Sequence, residues 1–144
     1  MQVIVISYKR LKYLKQTVES LRQDDIELFI VDGGSDFETK QYIMGAADKY
    51  LLFEDNPGAD FLKTEGIKKF ITDPVFMLSS DDLVYPKGYS KLLLEQYEKI
   101  RVIGQYTFMA CNMPYIEAQK DIVWQKVNGV EIYPVDTSQV AGLS

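Results

Sequence analysis

The sequence predicts an α/β fold, a mostly parallel sheet flanked by helices with an antiparallel hairpin near the C-terminus. Two observations carry this. Four short apolar runs, at 3–6, 28–31, 50–53 and 75–78, alternate with stretches whose apolar residues recur at helical spacing, and that βαβαβαβ order becomes a parallel sheet through right-handed crossovers. Further on, Asn128-Gly129 separates the run 122–127 from the run 130–133, a two-residue hairpin signal.

Each element has its own reason. Val3, Ile4, Val5 and Ile6 form a continuous β-branched run, the pattern of a strand covered on both faces. Leu11, Leu14, Val18 and Leu21 then recur among Lys, Gln and Glu, an amphipathic helix of about three turns. Leu28 to Val31 is a second strand, ended by Asp32-Gly33-Gly34-Ser35-Asp36, and a second helix runs from Phe37 to about Gly45. Tyr50 to Phe53 is a third strand. Asn56-Pro57-Gly58 breaks the chain before a helix in which Ile67, Phe70 and Ile71 share a face, and Pro74 ends that connection. Val75 to Leu78 runs into Ser79-Ser80-Asp81-Asp82, and a helix after Pro86 presents Tyr89, Leu92, Leu93 and Ile100 on one face. Val102 to Ala110 reads as another strand before the hairpin.

With 144 residues the chain is sized for one domain, which at this length buries roughly 70% of its unfolded surface. We expect residues 1–100 to form the βα part of that domain and 101–144 its antiparallel part. Sixteen basic against 21 acidic side chains give a charge of −5, which argues against duplex nucleic acid as a partner. The chain has no histidine. That removes Ser-His-Asp triads, Cys-His dyads and His-based zinc sites, and leaves carboxylates, Lys, Tyr, Ser/Thr, backbone groups or a metal to do any chemistry. The single Cys111 cannot form an internal disulfide and reads as a small buried apolar residue. No signal segment opens the chain and no run approaches the ~18 to 20 apolar residues of a membrane span, so a cytoplasmic protein without a transmembrane segment is expected.

Ligands of open α/β sheets bind beyond the carboxyl ends of the strands. Three polar segments lie there: Ser7-Tyr8 with Lys9-Arg10, Asp32 to Asp36, and Ser79 to Asp82. Asp81 and Asp82 suit Mg²⁺ or Mn²⁺, hard ions held by one or two carboxylates plus substrate phosphates and water, although paired Asp residues also cap turns. Asp32 can accept hydrogen bonds from a base edge or ribose while Gly33 lets backbone approach closely; the alternative is a turn whose Asp satisfies its own loop. Tyr8 can stack on a base or pack over the core rim, and Lys63 can neutralise a diphosphate or stay solvated. There is no GxGxxG and no GxxxxGK[ST], which counts against dinucleotide and P-loop readings.

The run VIVISYKRLKYLKQTVESL, the strand and loop IELFIVDGGSDFET, and the segment GADFLKTEGIKKFITDPVFMLSSDDLVYPKGY together resemble family 2 glycosyltransferases of the GT-A fold, over about residues 2 to 90. The resemblance implies a nucleotide-diphosphate sugar donor, commonly a UDP-sugar, a divalent cation, and transfer with inversion to an acceptor that is a glycan, lipid or protein. It implies donor-binding roles for Ser7, Tyr8, Arg10, Asp32, Gly33, Lys63, Ser80 and Asp81, with Tyr8 stacking on the base and Asp32 reading it. Thr64 stands where the family often has Asn. Asp81 and Asp82 are the implied metal ligands. Ser79 stands where the family has the first acid of its metal motif. Family members continue with an acceptor half that carries the general base, so the resemblance also implies a short, donor-side chain with a doubtful transfer activity. Glu117, Asp121, Glu131 and Asp136 lie in or beside the hairpin, where exposed acids are the default. A sugar-nucleotide binding module without catalysis is one alternative, and a nucleotidyltransferase-like enzyme another.

Overall fold

The computed structural model describes residues 1–100, 125–127 and 130–132. The chain divides into two compact units, Met1–Ser90 and Lys91–Ser144. The first unit follows the predicted alternation: β1 (Gln2–Ser7), α1 (Leu11–Leu21), β2 (Glu27–Asp32), α2 (Phe37–Ala46), β3 (Lys49–Leu52), α3 (Ala59–Phe70) and β4 (Phe76–Ser80). Its four strands lie in the order β3-β2-β1-β4, and every pairing is parallel.

The chain walks outward from β1 through β2 to β3 and then returns past β1 to place β4 on the other side. Strand order therefore reverses between β1 and β4. Loops leaving the carboxyl ends of two such strands diverge, which makes this position the natural crevice of an open α/β sheet. Register sets which residues meet at that edge: Ser7 lies beside Asp32, and Ile6 beside Ser80.

The β-branched run of β1 does what its composition implies. Val3, Ile4 and Val5 are wholly buried, as are Leu28 to Val31 of β2, and each such side chain contributes about 1.5–3 kcal/mol when fully buried. On the α3 side, Ile4, Phe29, Val31, Leu62 and Phe70 form a continuous core to which Ile6, Leu51, Phe53, Ile67, Ile71 and Leu78 are added. The rings of Phe29 and Phe70 stack with centroids 5.1 Å apart. Helix α3 comes this close to the sheet because Gly66 has no side chain: a Cβ there would lie 2.8 Å from Cγ2 of Val31.

Boundaries shift by a residue or two from expectation. Phe53 falls outside β3, although its N–H still donates to the Asp32 carbonyl at 2.9 Å. Val75 is taken out of β4 by a turn in which its N–H donates to Oδ1 of Asp73 at 2.9 Å.

Helix α4 (Tyr89–Ile100) continues into the second unit. There β5 (Gln125–Val127) and β6 (Val130–Ile132) pair antiparallel, with Val127 opposite Val130. The expected strand at 102–110, the Asn128-Gly129 turn, Cys111 and the acids Glu117, Asp121 and Asp136 lie outside the described residues. Among the described residues no helix is long and apolar enough to cross a membrane.

Candidate functional site

The loop after β1 is held on both sides by carboxylates from neighbouring strand ends. On the β4 side, the Tyr8 N–H donates to Oδ2 of Asp81 at 3.0 Å. On the β2 side, the Lys9 N–H donates to Oγ of Ser35 at 2.7 Å, and that hydroxyl in turn donates to Oδ1 of Asp32. Lys9 takes a left-handed backbone, φ 54°, a conformation unfavourable for a residue with a side chain and one that persists where surrounding bonds impose it. Those two bonds impose it here.

Asp81 is 0% exposed. Burial raises its carboxyl pKa above the ordinary 3.8, opposed by the Tyr8 N–H and by Arg10, while Asp82 adds to the rise. Nη2 of Arg10 lies 2.7 Å from Oδ1 of Asp81, and Nη1 lies 2.8 Å from Oδ2 of Asp82. The Asp81 contact is an ion pair without hydrogen-bond alignment, since this buried Oδ1 makes no hydrogen bond. Asp82 is 41% exposed on its side chain. The Ser80 hydroxyl, and then Arg10, hold its pKa below the usual carboxylate value against burial.

Helix α1 explains why Arg10 is available for this role. Arg10 occupies the cap position before Leu11 and makes no side-chain cap bond. Its guanidinium is free to cross to the acids, which in turn lie near the positive end of the helix dipole.

Asp32 is placed at the edge as expected, but its carboxylate faces its own loop. It is 0% exposed, and its oxygens accept from the Gly34 N–H at 3.1 Å, the Ser35 N–H at 2.8 Å and the Ser35 hydroxyl. Gly34 has φ 87°, and a Cβ on it would meet the Glu54 carbonyl oxygen at 2.6 Å, so both its angle and its surroundings require glycine. Gly33 continues the ladder by donating to the Ser7 carbonyl at 2.9 Å, and the space a side chain would need is filled by Leu62 of α3, whose Cδ1 would lie 2.8 Å from a Cβ.

Ser7, Tyr8, Arg10, Asp32, Gly33, Ser80, Asp81 and Asp82 thus share one sheet edge, linked by the bonds above. Ser7 is wholly buried and its Oγ has no partner, whereas Tyr8 is 38% exposed. Lys63 is held on its own helix by Asp60, with Nζ 3.1 Å from Oδ1, and Thr64 donates to the Asp60 carbonyl at 2.8 Å. Among the described residues neither is bonded to the strand-end group. Ser79 turns the other way: it is buried, its Oγ donates to the Ser80 carbonyl and meets the Tyr85 hydroxyl, each at 2.8 Å, and the Tyr85 N–H reaches Oγ of Ser20 in α1 at 3.1 Å. This buried network pins the loop that carries Asp81 and Asp82.

Sequence reasoning passed over Ser35 and Tyr85. An Asp followed three residues later by Ser is a turn signal that could have marked Ser35. Nothing local marks the hydrogen bonds of Tyr85 to Ser79 in β4 and Ser20 in α1.

Among the described residues no three acids or cysteines gather as a metal cage. The pair Asp81 and Asp82 nevertheless fits a hard divalent ion. Both offer carboxylate oxygens, and Oδ1 of Asp81 is a buried acceptor lacking a hydrogen bond. Two protein ligands are the usual number where substrate phosphates and water complete the shell.

The family model described as "Glycosyl transferase family 2" matches residues 2–142. No curated protein matches the sequence. A solved structure of S. aureus TarS is similar to this chain at TM-score 0.60 and 19% identity, covering 75% of this chain and 23% of that one. A second, S. aureus TarS 1-349, gives the same TM-score, identity and coverage of this chain with 38% of its own length covered. At that identity the likeness speaks for the fold, and the chain spans well under half the length of either structure.

Proposed function

Since the chain belongs to glycosyl transferase family 2, we propose that it binds a nucleotide-diphosphate sugar, a UDP-sugar first of all, at the edge formed by Ser7, Tyr8, Arg10 and Asp81, and passes the sugar to an acceptor hydroxyl with inversion. The observation that carries this reading is Asp81, a carboxylate buried at the end of β4 beside Asp82. Burial opposes its charge, and such groups concentrate where a charge is used.

In this reading Asp81 and Asp82 hold Mn²⁺ or Mg²⁺, which when bound neutralises the charge that develops on the departing diphosphate. The half-exposed Tyr8 ring offers a face to the base. The bond from the anomeric carbon to the diphosphate oxygen breaks as the acceptor oxygen attacks from the opposite side, and its proton passes to a general base. We assign that base to neither Asp81 nor Asp82, which belong to the diphosphate side. Asp32 acts through its loop, by holding the backbone of Gly34 and Ser35.

A binding module without transfer is the second reading. Ser79 favours it, because its buried hydroxyl replaces an acid of the family's motif and is committed to Ser80 and Tyr85.

Thermal melting tests donor binding. UDP at 100 times its Kd stabilises by about 2.7 kcal/mol, with Mn²⁺ and much less with EDTA. No shift with any nucleoside diphosphate, in Mn²⁺ or Mg²⁺, rejects both readings. Release of UDP from a UDP-sugar that depends on an added acceptor separates transferase from binding module.

A further inference from the structure

We propose that Arg10 and a divalent cation exchange at the Asp81 and Asp82 pair, so that the guanidinium holds both carboxylates in the free protein and a cation enters only as Arg10 leaves. The inference rests on the donor-site reading above and adds to it a residue that controls cation entry.

The argument is one of occupied oxygens. Oδ2 of Asp81 is taken by the Tyr8 N–H at 3.0 Å, which leaves Oδ1 as the oxygen open to a cation. That is the oxygen Nη2 of Arg10 touches at 2.7 Å. The second prong, Nη1, lies 2.8 Å from Oδ2 of Asp82, so one planar guanidinium spans both acids. A divalent ion sits about 2.1 Å from its oxygen ligands. Bound to the same Oδ1, it would lie within about 5 Å of the Arg10 nitrogen, a separation at which a divalent ion and a guanidinium repel by several kcal/mol even at a partly exposed edge, where the effective dielectric is about 20.

Arg10 is free to leave. Its side chain is 46% exposed and makes no cap bond to α1, and among the described residues its guanidinium pairs with these two acids alone. Asp81 stays in place without it, because the Tyr8 N–H still holds Oδ2. A diphosphate offers a guanidinium the two-pronged contact it gives up. Nucleotide and cation would then favour one another's binding, and linkage makes that coupling reciprocal.

The test uses Mn²⁺ alone, titrated into the full chain and into Arg10→Gln, with free Mn²⁺ read from its electron paramagnetic resonance signal. Exchange predicts that Arg10→Gln binds Mn²⁺ about tenfold more tightly than the unaltered chain. Equal or weaker affinity overturns it, as does an absence of Mn²⁺ binding by both proteins. Arg10→Lys, which keeps the charge but cannot bridge two carboxylates, moves in the same direction by a smaller factor. It decides the question if Arg10→Gln does not fold, and an unchanged affinity in it is then the overturning result. UDP binding measured in parallel reports on the donor reading: its absence rejects that reading, while Mn²⁺ affinity decides the exchange.

Discussion

Tyr8 and Asp81, 73 residues apart in sequence, are joined by a 3.0 Å hydrogen bond from the Tyr8 backbone to the Asp81 carboxylate. The bond spans the place where strand order reverses, between β1 and β4. It fixes the acid from the backbone, independent of the Tyr8 side chain. The ring is thereby left to Lys9, whose Nζ stands 4.9 Å from its centroid, and the second carboxylate oxygen to Arg10.

Asp81→Asn should fold and melt within about 1 kcal/mol of the unaltered chain. The amide oxygen still accepts the Tyr8 N–H, and the substitution removes a charge that burial disfavours. Because the folded-state pKa is raised, the native carboxyl is least costly when protonated, and stability falls as pH rises through that pKa. The cation-dependent part of UDP stabilisation should disappear. Melts with UDP in Mn²⁺ and in EDTA check both halves, and a large loss of stability with nucleotide response retained would make Asp81 a structural residue.

Asp32→Ala should destabilise by about 2–3 kcal/mol, because it leaves the buried N–H of Ser35 and the Ser35 hydroxyl without their acceptor. The effect extends to Lys9, whose N–H relies on the same hydroxyl. A residue that read the base would instead shift preference between UDP and ADP at unchanged stability. Urea unfolding together with competition between the two nucleotides distinguishes the outcomes.

The sheet was legible because each strand is a compact apolar run ended by turn residues, and the rule for strand ends then gathered Tyr8, Asp32 and Asp81 at one edge. Direction was not legible. A residue type at a strand end does not state whether its carboxylate faces a ligand or its own loop, and for Asp32 the nearby amides of Gly34 and Ser35 decided. Lys63 read as a diphosphate partner or a solvated lysine, and its Nζ lies 3.1 Å from Oδ1 of Asp60, three residues before it, a spacing at which helix side chains meet. The Arg10 bridge and the Tyr85 network join residues from distant segments. No local pattern encodes such pairs.

Gly66→Ala should cost about 1–3 kcal/mol, the usual range for overpacking a filled core. The added methyl meets Cγ2 of Val31 at 2.8 Å and Cγ2 of Ile4 at 3.4 Å, so α3 must lift from the sheet, although alanine favours a helix. Pairing the change with Val31→Ala vacates the space. Chemical denaturation of single and double variants should show the double losing less than the two losses added, and strict additivity would contradict this packing.

Asp24 should make stability fall in acid. It lies between α1 and β2 and accepts from the Gly88 N–H at 2.6 Å, the Ser90 N–H at 2.9 Å and the Ser90 hydroxyl at 2.7 Å, so it caps α4 from a distant loop. The Gly88 bond first, then those of Ser90, hold its pKa below the ordinary 3.8. A carboxyl depressed in the folded state adds stability above its unfolded pKa and loses it as pH falls through the folded one. Near neutral pH, Asp24→Asn should therefore be less stable by about 1 kcal/mol, the usual worth of a helix cap. As pH falls below the unfolded carboxyl's value of about 4 the gap should narrow, and it closes only once the pH has passed below the lowered folded-state pKa, where Asp24 too is uncharged. Urea melts of the two proteins across that range measure the gap, and one that stays constant down to about pH 3 would assign the difference to something other than the charge on Asp24.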